Sequence, residues 1–171
     1  RDLLYLNTGN DRNGHARFRE VGEKAGIDTR VEHGLGAVFT DINNDGRLDL
    51  YVANDANPNR LYLNVPGNRN GLGFRLEERA ERFGLADPNA GMGIAAADYS
   101  GDSRTDLLVT NSHKQLHAVF RSDGANGAGP AFSDARSDIA GAFDTTLAGW
   151  GASWVDLDLD AQESWYQRAK T

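Results

Sequence analysis

The strongest constraint on the fold of this chain is an internal repeat. Runs of small and apolar residues that start Gly-x-Gly and end in aspartate begin at Gly34, Gly91 and Gly149. Their closing aspartates lie 57 and 58 residues apart, and a Tyr-Leu-Asn triplet recurs at the same interval, at residues 5–7 and 62–64. Self-similarity at a fixed interval is the signature of a repeat protein, in which each repeat is one supersecondary unit packed on its neighbours.

Each repeat is predicted to contain four short strands, which makes the fold all-β. The first strand is the Gly-x-Gly run, about residues 35–40, and the second, residues 49–53, is rich in β-forming side chains. Turn residues lead to a third strand at 60–64, and a stretch rich in Gly and Asn leads to a fourth near 74–77. One helical turn is predicted within residues 77–83. Four antiparallel strands per repeat of this length are typical of a β-propeller blade.

The repeat divides the chain, residues 1–171, into the parts of one partial propeller of about three repeats. Residues 34–90 and 91–148 are predicted as complete blades, residues 1–33 as a half blade, and residues 149–171 as a half blade or a truncated tail. A ring normally needs about four to eight blades, so one copy of this chain cannot close one. Further blades from a longer chain or from another subunit are expected, unless the edges stay open.

Composition excludes several classes of function. The sequence has 39% hydrophobic and 25% charged residues, a balance typical of globular domains. Its formal net charge of -7 argues against a nucleic-acid partner, because contacts to the phosphate backbone require a basic surface. No apolar run approaches the length of a membrane span, so membrane insertion is not expected. The absence of cysteine excludes disulfides and thiolate metal sites.

The loop after the first strand of each repeat has the pattern of a calcium site. In the first loop, side-chain oxygens occupy positions 1, 3, 5 and 9, and Gly46 at position 6 permits a sharp turn. Ca²⁺ binds about six to eight oxygen ligands, so a loop that alternates ligands with spacers can direct several of them to one ion. The spacers Ile42 and Leu48 are predicted to pack into the protein. The predicted ligands of this loop are Asp41, Asn43, Asp45, the main-chain carbonyl of Arg47, and Asp49.

The other two loops carry the same pattern in weaker form. In the second loop Ser103 replaces the glycine, at a position where a left-handed backbone is expected and a non-glycine residue is uncommon. In the third loop Ala161 occupies the turn and Ser164 replaces the closing aspartate. The expected affinity for calcium therefore falls from the first loop to the third, which is either a weak site or empty. The predicted ligands are Asp98, Ser100, Asp102, Arg104 and Asp106 in the second loop and Asp156, Asp158 and Asp160 in the third.

Two other structures could explain these loops, an EF-hand and an ordinary hairpin turn. An EF-hand closes its loop with a bidentate Glu at position 12 and flanks it with helices. Position 12 is Val52 in the first loop and Val109 in the second, and both lie in predicted strands. Clusters of Asp, Asn and Gly also form ordinary hairpin turns. Three such clusters at the same point of a repeat favour metal binding over turns alone.

Taken together, these motifs resemble FG-GAP/VCBS repeats, the blades of integrin-α-type seven-bladed β-propellers. The resemblance rests on the Gly-x-Gly strand that ends at Asp41, the Asp-x-Asn-x-Asp-Gly-x-x-Asp loop, and the strands at 50–54 and 60–64. The Leu-Tyr-Leu-Asn and Phe-Arg-Glu-Val wording is closest to the variety found in bacterial exported and cartilage-acidic-protein-like extracellular proteins. The resemblance implies calcium-binding loops in a secreted, periplasmic or cell-surface module for adhesion, ligand binding or scaffolding.

The tail after Asp160 departs from the family pattern. The family would continue Gly-x-x-Asp-Leu into a strand, whereas this chain reads Ala-Gln-Glu-Ser and then Trp165 onward. The tail is either a truncation scar or a divergent edge strand.

Two other classes of function compete with a calcium-binding scaffold. A carbohydrate-active propeller enzyme, a lyase or hydrolase, would need a general base, but the four histidines match no triad or paired-histidine metal motif. No catalytic residue is therefore predicted. A module that binds a protein or carbohydrate ligand could use the polar loops at 54–59 and 111–115, although turns are built from the same residue types. The histidines in question are His15, His33, His113 and His117.

Overall fold

The chain is described by a computed structural model. The model describes the backbone of residues 164–170 and, with their side chains, residues 2–27, 30–67, 69, 71–124, 131–139 and 147–155. In these parts the chain forms antiparallel sheets joined by turns, two short α-helices and one 3₁₀ helix (Arg136–Ile139). The predicted all-β fold of partial propeller blades is confirmed.

The N-terminal sheets show one incomplete and one complete repeat. A two-stranded sheet pairs β1 (Tyr5–Asn10) with β2 (Ala16–Glu20). A four-stranded sheet follows, in which each strand pairs with the next one along the chain. Its strands are β3 (Gly34–Thr40), β4 (Asp49–Asn54), β5 (Arg60–Gly67) and β6 (Gly73–Glu78). All four predicted strands are present, and the third runs past its predicted end at residue 64.

The C-terminal sheets show the opposite order, one complete repeat followed by one incomplete repeat. The second four-stranded sheet is again a meander, and a two-stranded sheet pairs β11 (Ala148–Val155) with β12 (Ser164–Lys170). The strands of the four-stranded sheet are β7 (Gly91–Ala97), β8 (Asp106–Asn111), β9 (Ala118–Ser122) and β10 (Phe132–Asp134).

A single helical turn follows the outer strand of each of the first two sheets. These turns are α1 (Gly22–Ala25) and α2 (Ala80–Phe83), so the predicted turn within residues 77–83 is confirmed. Each ends at a glycine with a left-handed backbone, Gly26 at φ 107° and Gly84 at φ 76°. Glycine adopts this conformation at little cost, which makes it the usual residue at a helix C-terminus. Neither helix is long and apolar enough to cross a membrane, and the described residues contain no other α-helix.

The core lies between stacked sheets rather than inside one. Every residue of β4 and β8 is buried, as the apolar runs of these second strands require. Alternate side chains of β4 enter different cores: Tyr51 packs toward the second four-stranded sheet, and Leu50 and Val52 pack toward Ile27 and Leu76. Successive side chains of a strand point to opposite faces of its sheet. Each second strand is therefore shared between two cores.

The first strands of three sheets, β3, β7 and β11, lie side by side and are here named the inner strands. A Cβ atom added to Gly36 would overlap the main-chain oxygen of Met92, and one added to Gly93 would lie 2.9 Å from Cα of Gly151. Only glycine permits a backbone to approach this closely. Gly36 and Gly93 therefore allow the inner strands to pack closely against one another.

Candidate metal centre

The first loop (residues 41–49) joins β3 to β4, and the second loop (residues 98–106) joins β7 to β8. Both have the same backbone turn. Positions 4 and 6 are left-handed in the first loop, at Asn44 (φ 57°) and Gly46 (φ 83°), and again in the second, at Gly101 (φ 75°) and Ser103 (φ 64°). The left-handed backbone expected at Ser103 is therefore confirmed. The two loops present equivalent residues in equivalent directions.

The carboxylate of Asp41 organises the first loop around itself. Its Oδ1 accepts a hydrogen bond from the amide of Asp45 at 3.0 Å, and its Oδ2 accepts one from the amide of Gly46 at 2.7 Å. The amide of Asp45 is shared with Oδ1 of Asn43 at 3.1 Å. These bonds bring the residues at positions 1, 3 and 5 around one turn of the chain.

Asp98 plays the same part in the second loop. It accepts hydrogen bonds from the amides of Asp102 at 2.9 Å and Ser103 at 2.6 Å. Burial raises the pKa of Asp98, but the hydrogen bonds from these amides outweigh burial and hold the pKa below its usual range. Amides that donate to a carboxylate stabilise its ionised form. Asp98 is therefore kept as an anion at the centre of its loop.

An arginine at position 7 ties each loop to the third strand of its sheet. The guanidinium of Arg47 forms an ion pair with Asp45, and its Nε donates to the main-chain oxygen of Asn64 at 2.6 Å. The guanidinium thus places a positive charge beside a predicted ligand. The same two contacts recur at the equivalent residues of the second loop, from Arg104 to Asp102 and to the main-chain oxygen of Ser122.

The aspartate at position 9 is buried and joins its loop to the sheet. Asp49 is 1% exposed, and its carboxylate accepts hydrogen bonds from the amides of Asn64 at 2.7 Å and Ile42 at 3.1 Å. Burial raises the pKa of Asp49 in spite of these bonds. The equivalent carboxylate behaves in the same way in the second loop, between Asp106 and the amides of Ser122 and Ser100.

The two spacers of the first loop behave differently. Ile42 is 4% exposed and belongs to the core between the two four-stranded sheets, as predicted. The prediction that Leu48 packs into the protein is wrong, since its side chain is 59% exposed. The residue at the same position of the second loop, Thr105, turns toward the first loop, where its hydroxyl donates to the main-chain oxygen of Asp41 at 3.4 Å.

The predicted ligands gather around each loop without forming a closed shell. In the described part of the chain, no three Asp, Glu, His or Cys side chains converge as a metal site would require. The carboxylate of Asp45 forms an ion pair with Arg47, and the carboxylate of Asp49 accepts hydrogen bonds from main-chain amides. The donor set itself consists of oxygen alone, which is the chemistry that Ca²⁺ prefers. The third loop lies outside the described residues, and so do its predicted ligands Asp156, Asp158 and Asp160.

The polar turn after β4 is occupied by internal hydrogen bonds. The amide of Asn54 donates to Oδ1 of Asn59 at 2.9 Å, and Nδ2 of Asn59 donates to the hydroxyl of Tyr51 at 3.1 Å. The Tyr51 hydroxyl in turn donates to the main-chain oxygen of Leu85 at 3.0 Å. Asn54 and Asn59 are both fully buried. These two asparagines of the 54–59 loop form a turn and are closed to an external ligand.

His117 takes the place of Asn59 in the second four-stranded sheet. It is fully buried, and its Nδ1 accepts a hydrogen bond from the amide of Asn111 at 2.9 Å. Burial lowers the pKa of His117, which favours the neutral ring that this contact requires. This structural role was not predicted from the sequence. Alignment of His117 with Asn59, each just before the third strand of its sheet, could have revealed it.

The other histidines lie at the surface. His15 is near Asp11, at 3.5 Å, and His33 contacts Oδ1 of Asn57 at 3.1 Å. His113 is exposed in the turn after β8. The structure gives each of the four histidines a different setting.

Comparison with known proteins adds to this geometry. Residues 41–109, from the first loop into β8, match the family described as FG-GAP-like repeat. The match begins at Asp41 and includes both loops, and the resemblance inferred from the sequence is confirmed.

The curated relatives of these FG-GAP-like repeats are much longer proteins. Cartilage acidic protein 1 of Mus musculus is 28% identical over 125 residues, which cover 73% of this chain and 17% of the relative. Cartilage acidic protein 1 of Xenopus tropicalis is 28% identical over 98 residues, 57% of this chain and 14% of the relative. The human protein of the same name is 27% identical over 113 residues, 66% of this chain and 16% of the relative. The chain spans about one sixth of the length of these relatives.

Proposed function

We propose that this chain is a calcium-binding β-propeller module that acts as an extracellular scaffold for adhesion or ligand binding. The observation that carries the proposal is the equivalence of the first and second loops. They share the backbone turn, the amide bonds to the first aspartate, and oxygen donors at positions 1, 3, 5, 7 and 9. An ordinary hairpin turn requires no such set of carboxylates, whereas Ca²⁺ does.

Calcium would act in these loops as a counter-charge. The first loop holds three carboxylates and one guanidinium, so the pair between Arg47 and Asp45 leaves negative charge in excess. Each carboxylate oxygen has a second lone pair, so an aspartate can keep its amide bonds and still accept a metal. In each loop the ion would be held by the side-chain oxygens at positions 1, 3, 5 and 9 and by the main-chain oxygen at position 7.

The names of the relatives support the proposed setting. They are called cartilage acidic proteins, which names a connective tissue and an acidic composition, and this chain also has a net charge of -7. We propose an extracellular, periplasmic or cell-surface location, a protein or carbohydrate ligand, and no catalytic role. The ligand surface lies away from Asn54, Asn59 and Asn111, because all three are buried.

Thermal unfolding in the presence and absence of metal tests the calcium proposal. Calcium that binds only the folded state at about 100 times its dissociation constant stabilises it by about 2.7 kcal/mol, so the melting temperature should rise with Ca²⁺ and fall with EGTA. Magnesium at equal concentration should restore little, because it prefers a small octahedral shell and retains its waters.

Matched variants assign the effect to the loops. The double variant Asp41→Asn, Asp98→Asn should lose most of the calcium shift, and Asp138→Asn, which removes a carboxylate outside the loops, should retain it. Circular dichroism of each variant checks that it is folded. If the chain melts at the same temperature after metal analysis confirms removal of calcium, the proposal is wrong.

A further inference from the structure

A cavity of about 690 Å³ lies where the end of α1 meets the hairpin formed by β5 and β6. The helix end packs directly on β6, because a Cβ atom added to Gly26 would lie 2.7 Å from the main-chain oxygen of Leu76. Leu76 lines the cavity and is 7% exposed, as part of the core between the first two sheets. Cavities of about 300–1,000 Å³ commonly hold small ligands, so this one has the size of a binding site.

Three cationic side chains line this cavity. Lys24 comes from the last turn of α1, Arg69 from the turn between β5 and β6, and Arg75 from β6 itself. The remaining described residues of its wall are small or apolar, so no carboxylate of the described residues faces the cavity. The whole chain has a net charge of -7, and a wall charged with one sign is therefore unusual on this protein. A concave surface of one charge attracts ligands of the opposite charge.

The nearest ion pairs leave this wall positively charged. The carboxylate of Glu77 forms ion pairs with both Arg75 and Arg79, one through each of its oxygens. One negative charge is thus shared between two guanidinium groups. The Arg75 side chain is 58% exposed, and a guanidinium has five N–H donors, which is more than its contact with one carboxylate oxygen uses. Arg75 can therefore keep its pair with Glu77 and still donate hydrogen bonds to a ligand.

The packing of the repeat does not require this charge. Ser133 follows Phe132 in β10 as Arg75 follows Phe74 in β6, so the guanidinium has no counterpart in the second four-stranded sheet. A cavity of about 330 Å³ lies at the next interface along the chain, between α2 and the strands β9 and β10. Its charged lining residues are three carboxylates and one guanidinium, namely Glu81, Asp87, Asp134 and Arg136. The cationic wall is therefore specific to the interface between the first two sheets.

We propose that this cavity binds an acidic saccharide through its anionic group, a sulfate or a uronic-acid carboxylate. The planar guanidinium groups of Arg69 and Arg75 present paired N–H donors, which match the oxygens of a carboxylate or of a tetrahedral oxyanion. A compact cavity beside a turn suits a sugar ring, whereas an extended acidic peptide would bind along an unpaired strand edge. The inference rests on the ligand-binding part of the proposed function. It does not depend on calcium, because none of the predicted calcium ligands lines the cavity.

Titration calorimetry of the full chain with three ligands tests this inference. The ligands are a sulfated uronic-acid disaccharide, the same disaccharide without sulfate, and a peptide of four glutamates. At least one disaccharide should bind with a dissociation constant of about 1 mM or lower, the range that a few charge-assisted contacts provide. Binding of the sulfated form alone would identify sulfate as the recognised group, and equal binding of both would identify the carboxylate. The inference is wrong if neither disaccharide binds, or if the peptide binds more tightly than both.

Matched variants assign the binding to the cavity. The double variant Arg69→Gln, Arg75→Gln should weaken it by about 10-fold or more, because two charge-assisted contacts are lost. Arg82→Gln is the control, since Arg82 lies in α2 at the position equivalent to Lys24 and does not line the cavity. Circular dichroism checks that each variant is folded. Arg69→Gln alone changes only an exposed turn residue and should still weaken binding if the double variant does not fold. Full affinity in the folded variants, or an equal loss in Arg82→Gln, would refute the inference.

Titrations in Ca²⁺ and in EGTA separate this inference from the proposed calcium sites. Equal affinity for the disaccharide in both solutions is expected, and binding that required Ca²⁺ would place the saccharide at the loops and overturn the inference. If the disaccharide binds but calcium leaves the melting temperature unchanged, the calcium proposal alone is wrong. If calcium raises the melting temperature but no disaccharide binds, the saccharide inference alone is wrong.

Discussion

The buried aspartate at position 9 offers the sharpest test of how these loops are built. If Asp49 served only as a metal ligand, its removal would matter only when calcium is present. The structure assigns it a second task, because its carboxylate joins the amide of Ile42 in the loop to the amide of Asn64 in β5. We therefore expect Asp49→Ala to destabilise the protein even in excess EGTA.

The size of the effect follows from these two bonds. A hydrogen bond to a charged group contributes about 1.5–3 kcal/mol, so the loss of two amounts to about 3–6 kcal/mol before any compensation. Removing the charge recovers part of this, because burial already disfavours the ionised form and raises the pKa of Asp49. The expected net loss in the free energy of unfolding is about 3 kcal/mol.

Urea unfolding in EGTA, at one protein concentration, measures this loss. Asp45→Ala is the control within the same loop, because the Asp45 side chain is 26% exposed and its ion pair with Arg47 contributes about 1 kcal/mol or less. The reasoning is refuted if the free energy of unfolding of Asp49→Ala lies within about 1 kcal/mol of the native value, well short of the expected loss of ~3 kcal/mol. It is also refuted if Asp45→Ala loses more free energy of unfolding than Asp49→Ala.

Two further predictions concern the inner strands and the buried histidine. Gly36→Ala should lower the free energy of unfolding by about 2 kcal/mol or more, since the added Cβ would overlap the main-chain oxygen of Met92 in β7. Gly151→Ala, whose added Cβ would meet none of the described atoms within 4 Å, should change it by less than about 0.5 kcal/mol, and equal losses would contradict this packing. Because burial lowers the pKa of His117 below its unfolded value of about 6.5, stability should fall as pH drops from 6.5 toward the folded pKa, by at most about 1.4 kcal/mol per pH unit. His117→Asn, which places the residue type of Asn59 at this position, should remove this dependence of the free energy of unfolding on pH. Urea titrations between pH 7.5 and 5.5, a range on either side of the unfolded pKa of about 6.5, measure it. An unchanged dependence on pH would assign it to other groups.

The sequence was most informative where one physical cause acts in every repeat. The strands and the tight glycines recur because each sheet must bury the same faces, so alignment of the repeats was enough to locate β3 to β6. The residue types that supply oxygen ligands in the loops could also be recognised from the sequence. The alternation of ligands and spacers in the loop could not show which group each carboxylate contacts. Asp45 and Asp49 have the same carboxylate, but Arg47 draws one to the surface and the amide of Asn64 holds the other inside.

The errors also have physical reasons. Leu48 was expected inside because it alternates with ligands, but the loop coils through left-handed residues at Asn44 and Gly46, and a coiled loop does not keep the two-residue period of a strand. The structural role of His117 was not predicted because the turn before β9 is one residue longer than the turn before β5, which shifts the register of the repeat by one.

The meander topology determines how far the effect of a destabilising substitution extends through the molecule. Every pairing in the four-stranded sheets joins strands that are adjacent in sequence, and the main contacts between sheets in the described residues join each sheet to the sheets before and after it in the chain. Such a structure behaves approximately as a one-dimensional array, whose stability is the sum of unit terms and nearest-neighbour terms. A substitution in β9 therefore loosens its own sheet and the two interfaces beside it. The strands β1 and β2, two sheets away, are affected only through the sheet that lies between.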